Sequence, residues 1–137
     1  MTTVACSLIE RVMCSDSIYL DGPESGPVRK LWRHDGVLYG MAGYLCLQRA
    51  AKAWLRTGRS PPRGNITLLA LNSRIRTWDP LNGWIDIDTK QFAIGTGQQA
   101  ARAAMLAGLT CAKAVRIAIT LDPLSGGRVR SLRLPEG

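Results

Sequence analysis

The chain has 137 residues, of which 46% are hydrophobic and 20% are charged; this excludes a disordered polypeptide and predicts one folded domain over residues 1–137. It has no apolar run of membrane-spanning length and no signal-peptide order at its start, so we expect a cytoplasmic protein with no membrane partner. The net charge of +8 permits an acidic or nucleic-acid partner, but the basic residues are scattered and accompany no recognised nucleic-acid motif, so nucleic acid is not the favoured partner.

The predicted strands come first in chain order. Nine segments are predicted as strands because apolar or β-branched residues recur between turn residues. They are residues 2–7, 10–17, 28–33, 36–43, 66–72, 74–79, 83–88, 92–95 and 128–134. The first two form a hairpin around Ile9 and Glu10, and the next two turn at "HDG". The Gly, Pro and Asp content of residues 20–27 predicts a loop.

Three segments have the spacing or composition of helices. Residues 43–57 carry apolar side chains at helical spacing, with Gly58 as the predicted stop. Residues 98–107 are rich in alanine, and Thr110 is predicted to cap a helix over residues 111–121. The separate blocks of strands and helices predict an α+β fold, with two sheets lying between layers of helices.

Cysteine and histidine usage narrows the chemistry. The cysteines show no metal-type spacing and lie in apolar patterns, so we expect reduced residues in or near the core. They are Cys6, Cys14, Cys46 and Cys111. The single histidine, His34, lies beside Asp35 and Gly36 in a predicted surface turn. One histidine argues against a Ser-His-Asp triad and against a multi-histidine zinc site.

The N-terminal sequence "MTTVA" offers a nucleophile that needs no histidine. Removal of Met1 would give Thr2 both a hydroxyl and a free α-amine, whose ordinary pKa is about 7.7–8.0, so the residue would carry its own base. Such a threonine needs a nearby cation to favour the alkoxide, a carboxylate to hold that cation, and backbone N–H groups for the oxyanion. Alone, however, two threonines before a valine also fit an ordinary strand.

The first three motifs resemble those of the proteasome β-subunit and HslV family of N-terminal-nucleophile (Ntn) hydrolases. "TTVA" is similar to the mature N-terminus of that family, "CSDS" to its aspartate segment, and "VRKLWR" to the strand with its lysine. The resemblance implies that Thr2 is the nucleophile, that Lys30 supports it, and that Asp16 holds Lys30. Fourteen residues separate Thr2 from Asp16, and fourteen separate Asp16 from Lys30, so strands and turns could bring all three to one end of a sheet.

Three later motifs continue the resemblance in the same order. "LYGMAG" is similar to the family's "IAGxxG" segment, which implies that the Gly40 N–H belongs to the oxyanion hole. "AIGTGQQAARAAM" is similar to "xGSGxxxAxxA", with Thr96 where serine is usual. "LDPLSGG" is similar to "DxxSGG", which implies that Asp122 and Ser125 support the terminal amine.

The resemblance implies a four-layer αββα sandwich of two antiparallel sheets flanked by helices, the Ntn-hydrolase fold. It also implies a threonine-type endopeptidase that needs no metal or organic cofactor and acts on peptide or protein substrates. Relatives assemble into homo-oligomeric rings, and HslV-type relatives have an ATP-dependent unfoldase as partner. This chain is shorter than typical relatives between Gly58 and Phe92, which predicts trimmed ring-supporting helices, and in size it resembles the compact form carried by phages and prophages.

Other functions stay open at the level of sequence. A non-catalytic structural or assembly protein could keep the same fold, and a basic nucleic-acid-binding protein would account for the net charge. Within the hydrolases, an amidase acting on a small molecule is not distinguished from a peptidase, because the substrate pocket depends on loop side chains.

Overall fold

The protein is described by a computed structural model over residues 2–21 and 24–135. In chain order the elements of these residues are β1 Thr3–Ser7, β2 Val12–Ser15, β3 Ile18–Asp21, β4 Glu24–Pro27, β5 Leu31–His34, β6 Val37–Gly43, α1 Gln48–Thr57, β7 Ile66–Leu71, β8 Ile75–Asp79, β9 Gly83–Ile87, β10 Gln91–Gly95, α2 Gln98–Leu106, α3 Cys111–Leu121 and β11 Arg130–Arg133. None of the helices in the described ranges is long and apolar enough to cross a membrane.

Two antiparallel sheets form the centre of the molecule. One has the strand order β10-β1-β2-β11 and the other the order β5-β6-β7-β8-β9. Their facing sides share an apolar core that includes Val4 and Met13 from the first sheet and Leu38 and Leu69 from the second. Every residue of β1 is buried because this strand is covered on both faces.

Helices cover the outer faces of both sheets. On the four-stranded sheet, Ala101 of α2 and Val115 of α3 pack in one cluster with Ala5 of β1. On the five-stranded sheet, Ala51 of α1 packs with Leu68 of β7, and tryptophan rings extend this cluster over the neighbouring strands. The resulting helix–sheet–sheet–helix arrangement confirms the predicted αββα sandwich.

The loop prediction for residues 20–27 is wrong in part. This region contains β3 and β4, which pair as a separate two-stranded ribbon with Ile18 opposite Pro27 and Tyr19 opposite Gly26. Pro27 is tolerated because the ribbon has free edges, where a residue without an N–H breaks no ladder. The connection at residues 22–23 lies outside the described residues.

The helix predicted over residues 43–57 begins later than expected. Gly43 still belongs to β6, and a 3-10 turn over Leu45–Leu47 precedes α1. Gly43 has a φ of +115°, and a Cβ there would overlap the Asn65 carbonyl oxygen, so the position requires glycine. At the other end, Gly58 adopts a left-handed conformation and stops α1, as predicted.

Three of the cysteine predictions are confirmed and one is wrong. Cys6, Cys14 and Cys111 are buried free thiols. Cys46 is exposed because it lies in the 3-10 turn before α1 and not on the apolar face of that helix. His34 lies at the end of β5, with its Nε2 3.3 Å from an Asp35 carboxylate oxygen, in the predicted turn.

Candidate active site

The β1–β2 hairpin brings the start of one strand beside the end of the next. Thr2 precedes β1 and Asp16 follows β2, so the antiparallel register places them at the same sheet end. The two segments are fastened by their backbones: the Asp16 N–H donates to the Thr3 carbonyl oxygen at 3.1 Å, and the Thr3 N–H donates to Asp16 Oδ1 at 3.1 Å. The carboxylate is therefore fixed one residue away from Thr2.

Lys30 joins this pair from the other sheet. It lies immediately before β5 rather than within a strand, and its Nζ is 2.9 and 3.1 Å from the two Asp16 carboxylate oxygens. The same Nζ donates to Thr2 Oγ1 at 3.0 Å. Thr2 is 4% exposed, Lys30 3% and Asp16 0%, so the three groups meet away from bulk water. An ammonium group at this distance favours the ionised form of the hydroxyl.

Burial dominates the ionisation of the Lys30–Asp16 pair. Desolvation lowers the pKa of Lys30 from its ordinary value, although the Asp16 charge opposes this. Desolvation likewise raises the pKa of Asp16, against the opposing effects of Lys30 and of the N–H groups of Thr3 and Gly126. A charge buried this deeply is expensive unless it is paired, so each residue of the pair depends on the other.

A second set of side chains lies against the Thr2 nitrogen. That nitrogen, which is a peptide N–H while Met1 is attached, donates to Thr96 Oγ1 at 3.2 Å. The Thr96 hydroxyl is 2.5 Å from Asp122 Oδ2, and the Ser125 hydroxyl is 2.6 Å from the same oxygen. Ser125 Oγ also lies 2.8 Å from Thr3 Oγ1. The Thr2 backbone and the Asp122 carboxylate are thus connected through hydroxyl groups.

Asp122 is the charged end of this hydroxyl network. Burial works against its charged form, but hydrogen bonds from Ser125 and Thr96 and from the Leu124 N–H lower the pKa of Asp122 below its ordinary value. The carboxylate is therefore ionised at neutral pH. The ionised Asp122 carboxylate can accept the hydrogen bond of the Thr96 hydroxyl, so the Thr96 oxygen can accept a hydrogen bond from the Thr2 nitrogen.

Glycines in two motifs allow the chain to approach the Thr2 backbone. Gly95 ends β10 with a φ of +96°, and a Cβ on it would overlap the Thr2 carbonyl oxygen. The Gly97 N–H donates to that carbonyl at 3.3 Å, just before α2 begins. After α3, the Gly126 N–H donates to Asp16 Oδ2 at 3.1 Å. The "GTG" and "SGG" sequences are therefore explained by close backbone contacts at the site.

Thr2 opens onto a cavity of about 380 Å³. Its lining contains no charged side chain, and Ala42 and Thr67 lie opposite each other on β6 and β7 in its wall. The complete lining is Thr2, Ala42, Gly43, Asn65, Thr67, Gly95, Thr96 and Gln98. A group bound here would contact the Thr2 side of the site through uncharged surfaces only.

Gly40 does not lie at this cavity, contrary to the prediction. It is in register with Leu31 and Leu69 in the middle of the five-stranded sheet, and a Cβ on it would meet Val4 Cγ1 at 2.5 Å in the core between the sheets. Gly43, three residues on, lines the cavity instead.

The direction of the β6 amides supports Gly43 as the donor to the cavity. The Met41 N–H donates to the Lys30 carbonyl oxygen at 3.1 Å, on the β5 side of the strand. Because successive N–H groups of a strand point to opposite sides, Gly40 directs its N–H to β7, and Gly43 directs its N–H to the same side as Met41. At that point β5 has no residue in register with Gly43.

Six of the seven predicted site residues therefore form one connected group; Gly40 does not. The group is Thr2, Asp16, Lys30, Thr96, Asp122 and Ser125. Sequence reasoning missed Thr3, whose hydroxyl contacts Ser125; the doubled threonine was its only signal. It also missed Asn65, Thr67 and Gln98 in the cavity lining, for which the sequence offers no motif.

The two sheets between helices, with a buried threonine at the head of β1, have the fold of the HslV and proteasome-like Ntn hydrolases. The sequence itself matches no family model and no curated protein. Thiobacillus denitrificans BPH in complex with epoxomicin is similar in structure, with a TM-score of 0.78 and 15% identity over 98% of this chain and 100% of that chain.

Two further solved structures give the same result. Eukaryotic HslV from Trypanosoma brucei has a TM-score of 0.72 and 24% identity over 96% of this chain and 98% of that chain. A second structure of Thiobacillus denitrificans BPH has a TM-score of 0.74 and 14% identity over 99% of both chains. These likenesses confirm the predicted HslV-like fold, and at these identities they establish the fold alone.

Proposed function

We propose that the protein is an N-terminal threonine hydrolase of peptide bonds, a proteasome/HslV-like threonine-type endopeptidase with Thr2 as the nucleophile after removal of Met1. The observation that carries this proposal is the contact of Lys30 Nζ with Thr2 Oγ1 at 3.0 Å while Asp16 holds the same ammonium group. The small Thr2 side chain is compatible with removal of the preceding methionine. While Met1 remains, Thr2 has no free amine and the proposed enzyme is inactive.

In the first chemical step, the Thr2 α-amine takes the proton of its own hydroxyl, directly or through a water. Thr2 Oγ1 then forms a bond to the substrate carbonyl carbon, and the carbonyl π electrons move to the oxygen, which becomes an oxyanion. Lys30 stabilises the developing alkoxide by charge, and the Gly43 N–H takes the oxyanion role expected of Gly40.

The second half of the reaction releases both products. The protonated amine returns its proton to the leaving nitrogen as the C–N bond breaks, which leaves an ester on Thr2. A water then attacks this ester with the same amine as base, and the Thr2 hydroxyl is restored. Thr96 would orient the amine through its hydroxyl oxygen, and Asp122 and Ser125 would hold Thr96 in that position. No metal or organic cofactor enters any of these steps.

The cavity supports uncharged side chains as the group recognised next to the cleaved bond. A charged group in a recess with only hydroxyl, amide and apolar lining would lose hydration without gaining an opposite charge. Family resemblance extends the proposal to a homo-oligomeric ring with protein substrates, as the HslV-like fold neighbours suggest. By the same resemblance, the partner would be an ATP-dependent unfoldase; the cytoplasmic location expected from the sequence is part of the same proposal.

The test begins with the mass of the purified protein, which should correspond to a chain that starts at Thr2. Incubation with epoxomicin, the compound bound by one fold neighbour, should add one equivalent that maps to Thr2. Peptide cleavage and adduct formation should both disappear in Thr2→Ala, while Thr2→Ser, which keeps a hydroxyl and an amine, retains measurable activity.

Retention of Met1 in active protein, or full activity in Thr2→Ala, would refute the mechanism. Absence of both cleavage and adduct in a chain that starts at Thr2 would favour a non-catalytic member of the same fold. Hydrolysis of small amides without cleavage of peptides would replace the peptidase by an amidase.

A further inference from the structure

The positive charge of the chain is concentrated in one stretch of sequence. Residues 36–78 contain seven Lys and Arg residues and no Asp or Glu, whereas the other 94 residues contain eleven basic and ten acidic residues. This stretch comprises β6, α1, the connection to β7, β7 itself and most of β8. The stretch therefore has a net charge of +7, and it includes α1, which packs on the outer face of the five-stranded sheet.

The exposed cations of α1 lie along one face of the helix. Arg49, Lys52 and Arg56 are all exposed and follow a spacing of three and four residues, which places their side chains in one row. Ala51, on the opposite face, is buried against the sheet. The exposed Arg59 follows the helix, and its N–H donates to Thr57 Oγ1 at 3.2 Å, which ties it to the end of the same row.

Two neighbouring segments widen this row at the start of α1. The Gln48 side chain donates to the Arg29 carbonyl oxygen at 2.7 Å, which places the exposed Arg29 beside the first turn. A Cβ on Gly64 would lie 3.2 Å from Leu47, so the connection after α1 returns to the helix start and brings exposed Arg63 there. We call these six residues the α1 stripe. They are Arg29, Arg49, Lys52, Arg56, Arg59 and Arg63.

The α1 stripe is not neutralised by the part of the protein that the structure describes. The ion pairs of that part are Lys30–Asp16, His34–Asp35 and Arg74–Asp86, and none of them includes a stripe residue. Lys52 lies 5.2 Å from the centre of the Trp32 ring, which holds its ammonium group over the sheet edge without cancelling its charge. Six like charges without counterions make a surface that attracts a polyanion.

The composition of the surface distinguishes between two kinds of polyanion. Protein interfaces depend on large apolar or aromatic residues at their centre. The large exposed hydrophobic residues of the described chain lie elsewhere, apart from Tyr44 before α1. Five of the six stripe residues are arginines, whose planar guanidinium groups match phosphate oxygens. A surface of exposed arginines with few exposed apolar neighbours is typical of contacts with a phosphodiester backbone.

We propose that the α1 stripe binds the phosphodiester backbone of nucleic acid without sequence preference. This inference is independent of the proposed hydrolase activity, because no residue of the α1 stripe belongs to the group around Thr2 or lines the cavity. It also revises the expectation from sequence, in which the basic residues appeared scattered: five of the six lie within residues 49–63, and the fold brings Arg29 to the same helix.

The test uses the full chain and fluorescence anisotropy with a labelled 20-base-pair duplex DNA and, in a second arm, a single-stranded RNA of the same length. If six phosphates are neutralised, the slope of log K against log salt is about −5 for duplex and about −4 for single strand. Raising salt from 50 to 200 mM then weakens duplex binding by roughly a thousandfold. The two arms distinguish which nucleic acid supplies the backbone.

The discriminating variant replaces Arg49, Lys52 and Arg56 by Gln, and a matched control replaces the exposed Arg102, Lys113 and Arg116 of α2 and α3 by Gln. Both variants lose the same net charge. We expect the α1 variant to bind duplex DNA at least about tenfold more weakly at 50 mM salt. Its slope of log K against log salt should be less steep by about 3, while the affinity and slope of the control stay near those of the parent protein. Circular dichroism would establish that both variants are folded.

Three results would overturn the proposal. The first is no binding to either nucleic acid at 50 mM salt. The second is equal weakening by the two variants, which would indicate net charge rather than the α1 stripe. The third is binding of polyglutamate as tightly as nucleic acid of equal charge, with the same sensitivity to the α1 variant, which would assign the surface to an acidic protein.

Discussion

Lys30 is the residue whose environment most directly sets the chemistry of the site. It is buried, it contacts Thr2 Oγ1, and its partner Asp16 is held by two further hydrogen bonds, from the backbone N–H groups of Thr3 and Gly126. A lysine in solution would be hydrated and mobile, whereas this ammonium group is fixed toward one hydroxyl. The same burial that makes it effective also lowers its pKa, so its charge is vulnerable to alkaline conditions.

The pH dependence of peptide cleavage should show the loss of the Lys30 charge at alkaline pH. Lys30 favours the alkoxide only while protonated, and because burial lowers the pKa of Lys30, the proton is lost below the ordinary value of about 10.4. We therefore expect kcat/KM to fall on the alkaline side below that pH. The acid side should follow the Thr2 amine, which must be neutral to act as base; the ordinary pKa of an α-amine is about 7.7–8.0.

Asp122 should not contribute to the pH dependence of kcat/KM, because hydrogen bonds lower the pKa of Asp122 and keep it ionised from pH 5 upward. The measurement is kcat/KM between pH 5 and 10.5, with circular dichroism at each pH to exclude unfolding. Lys30→Arg is the control, since a guanidinium keeps its charge and should move the alkaline limb to higher pH. An alkaline limb that is unchanged in Lys30→Arg would contradict the assignment.

At the scale of elements, the junction of β6 and α1 decides which backbone amide faces Thr2. Gly43 is held at a φ of +115° against the Asn65 carbonyl, whose oxygen accepts the Tyr44 N–H at 2.8 Å. We expect Gly43→Ala to displace this junction, because alanine disfavours this φ and its Cβ would overlap the Asn65 carbonyl oxygen. The predicted result is a loss of about 100-fold in kcat and a destabilisation of about 1–3 kcal/mol.

Gly58→Ala is the matched control for this substitution. Gly58 also has a positive φ, +73°, but a Cβ there meets nothing within 4 Å, so we expect a cost of about 1–2 kcal/mol from backbone strain and no change in kcat. Urea unfolding and steady-state kinetics on both variants separate the two effects. Equal kcat values for Gly43→Ala and the parent would remove Gly43 from the oxyanion site.

Elements also show what a sequence can predict here and what it cannot. Asp16 was predictable because it follows the second strand of a hairpin whose first strand begins after Thr2, whereas Lys30, which comes from the other sheet, was predicted from the resemblance of its motif. The choice between Gly40 and Gly43 was not, because "YGMAG" offers two glycines and only the amide direction and the start of α1 distinguish them. The β3–β4 ribbon was missed because glycine and proline indicate a turn without showing that the flanking residues pair.

Across the whole molecule, the two outer helical layers differ in character. The α1 side carries the α1 stripe, while the ends of α2 and α3 expose leucines: Leu106 is 84% exposed and Leu121 is 68% exposed. The sequence alone does not show this division, because the packing of each helix on its sheet decides which of its cations and leucines stay exposed. Large apolar side chains in water favour association, with about 1.5–3 kcal/mol gained for each one fully buried.

Self-association is therefore expected to use the α2–α3 layer rather than the α1 layer. Native mass spectrometry should show an oligomer, and Leu106→Glu with Leu121→Glu should shift it toward monomer, because two carboxylates would have to lose their hydration in the contact. Leu81→Glu is the control: Leu81 is equally exposed, but it lies in the β8–β9 turn away from both helices. A monomeric parent protein, or dissociation by Leu81→Glu alone, would contradict the assignment of the contact to α2 and α3.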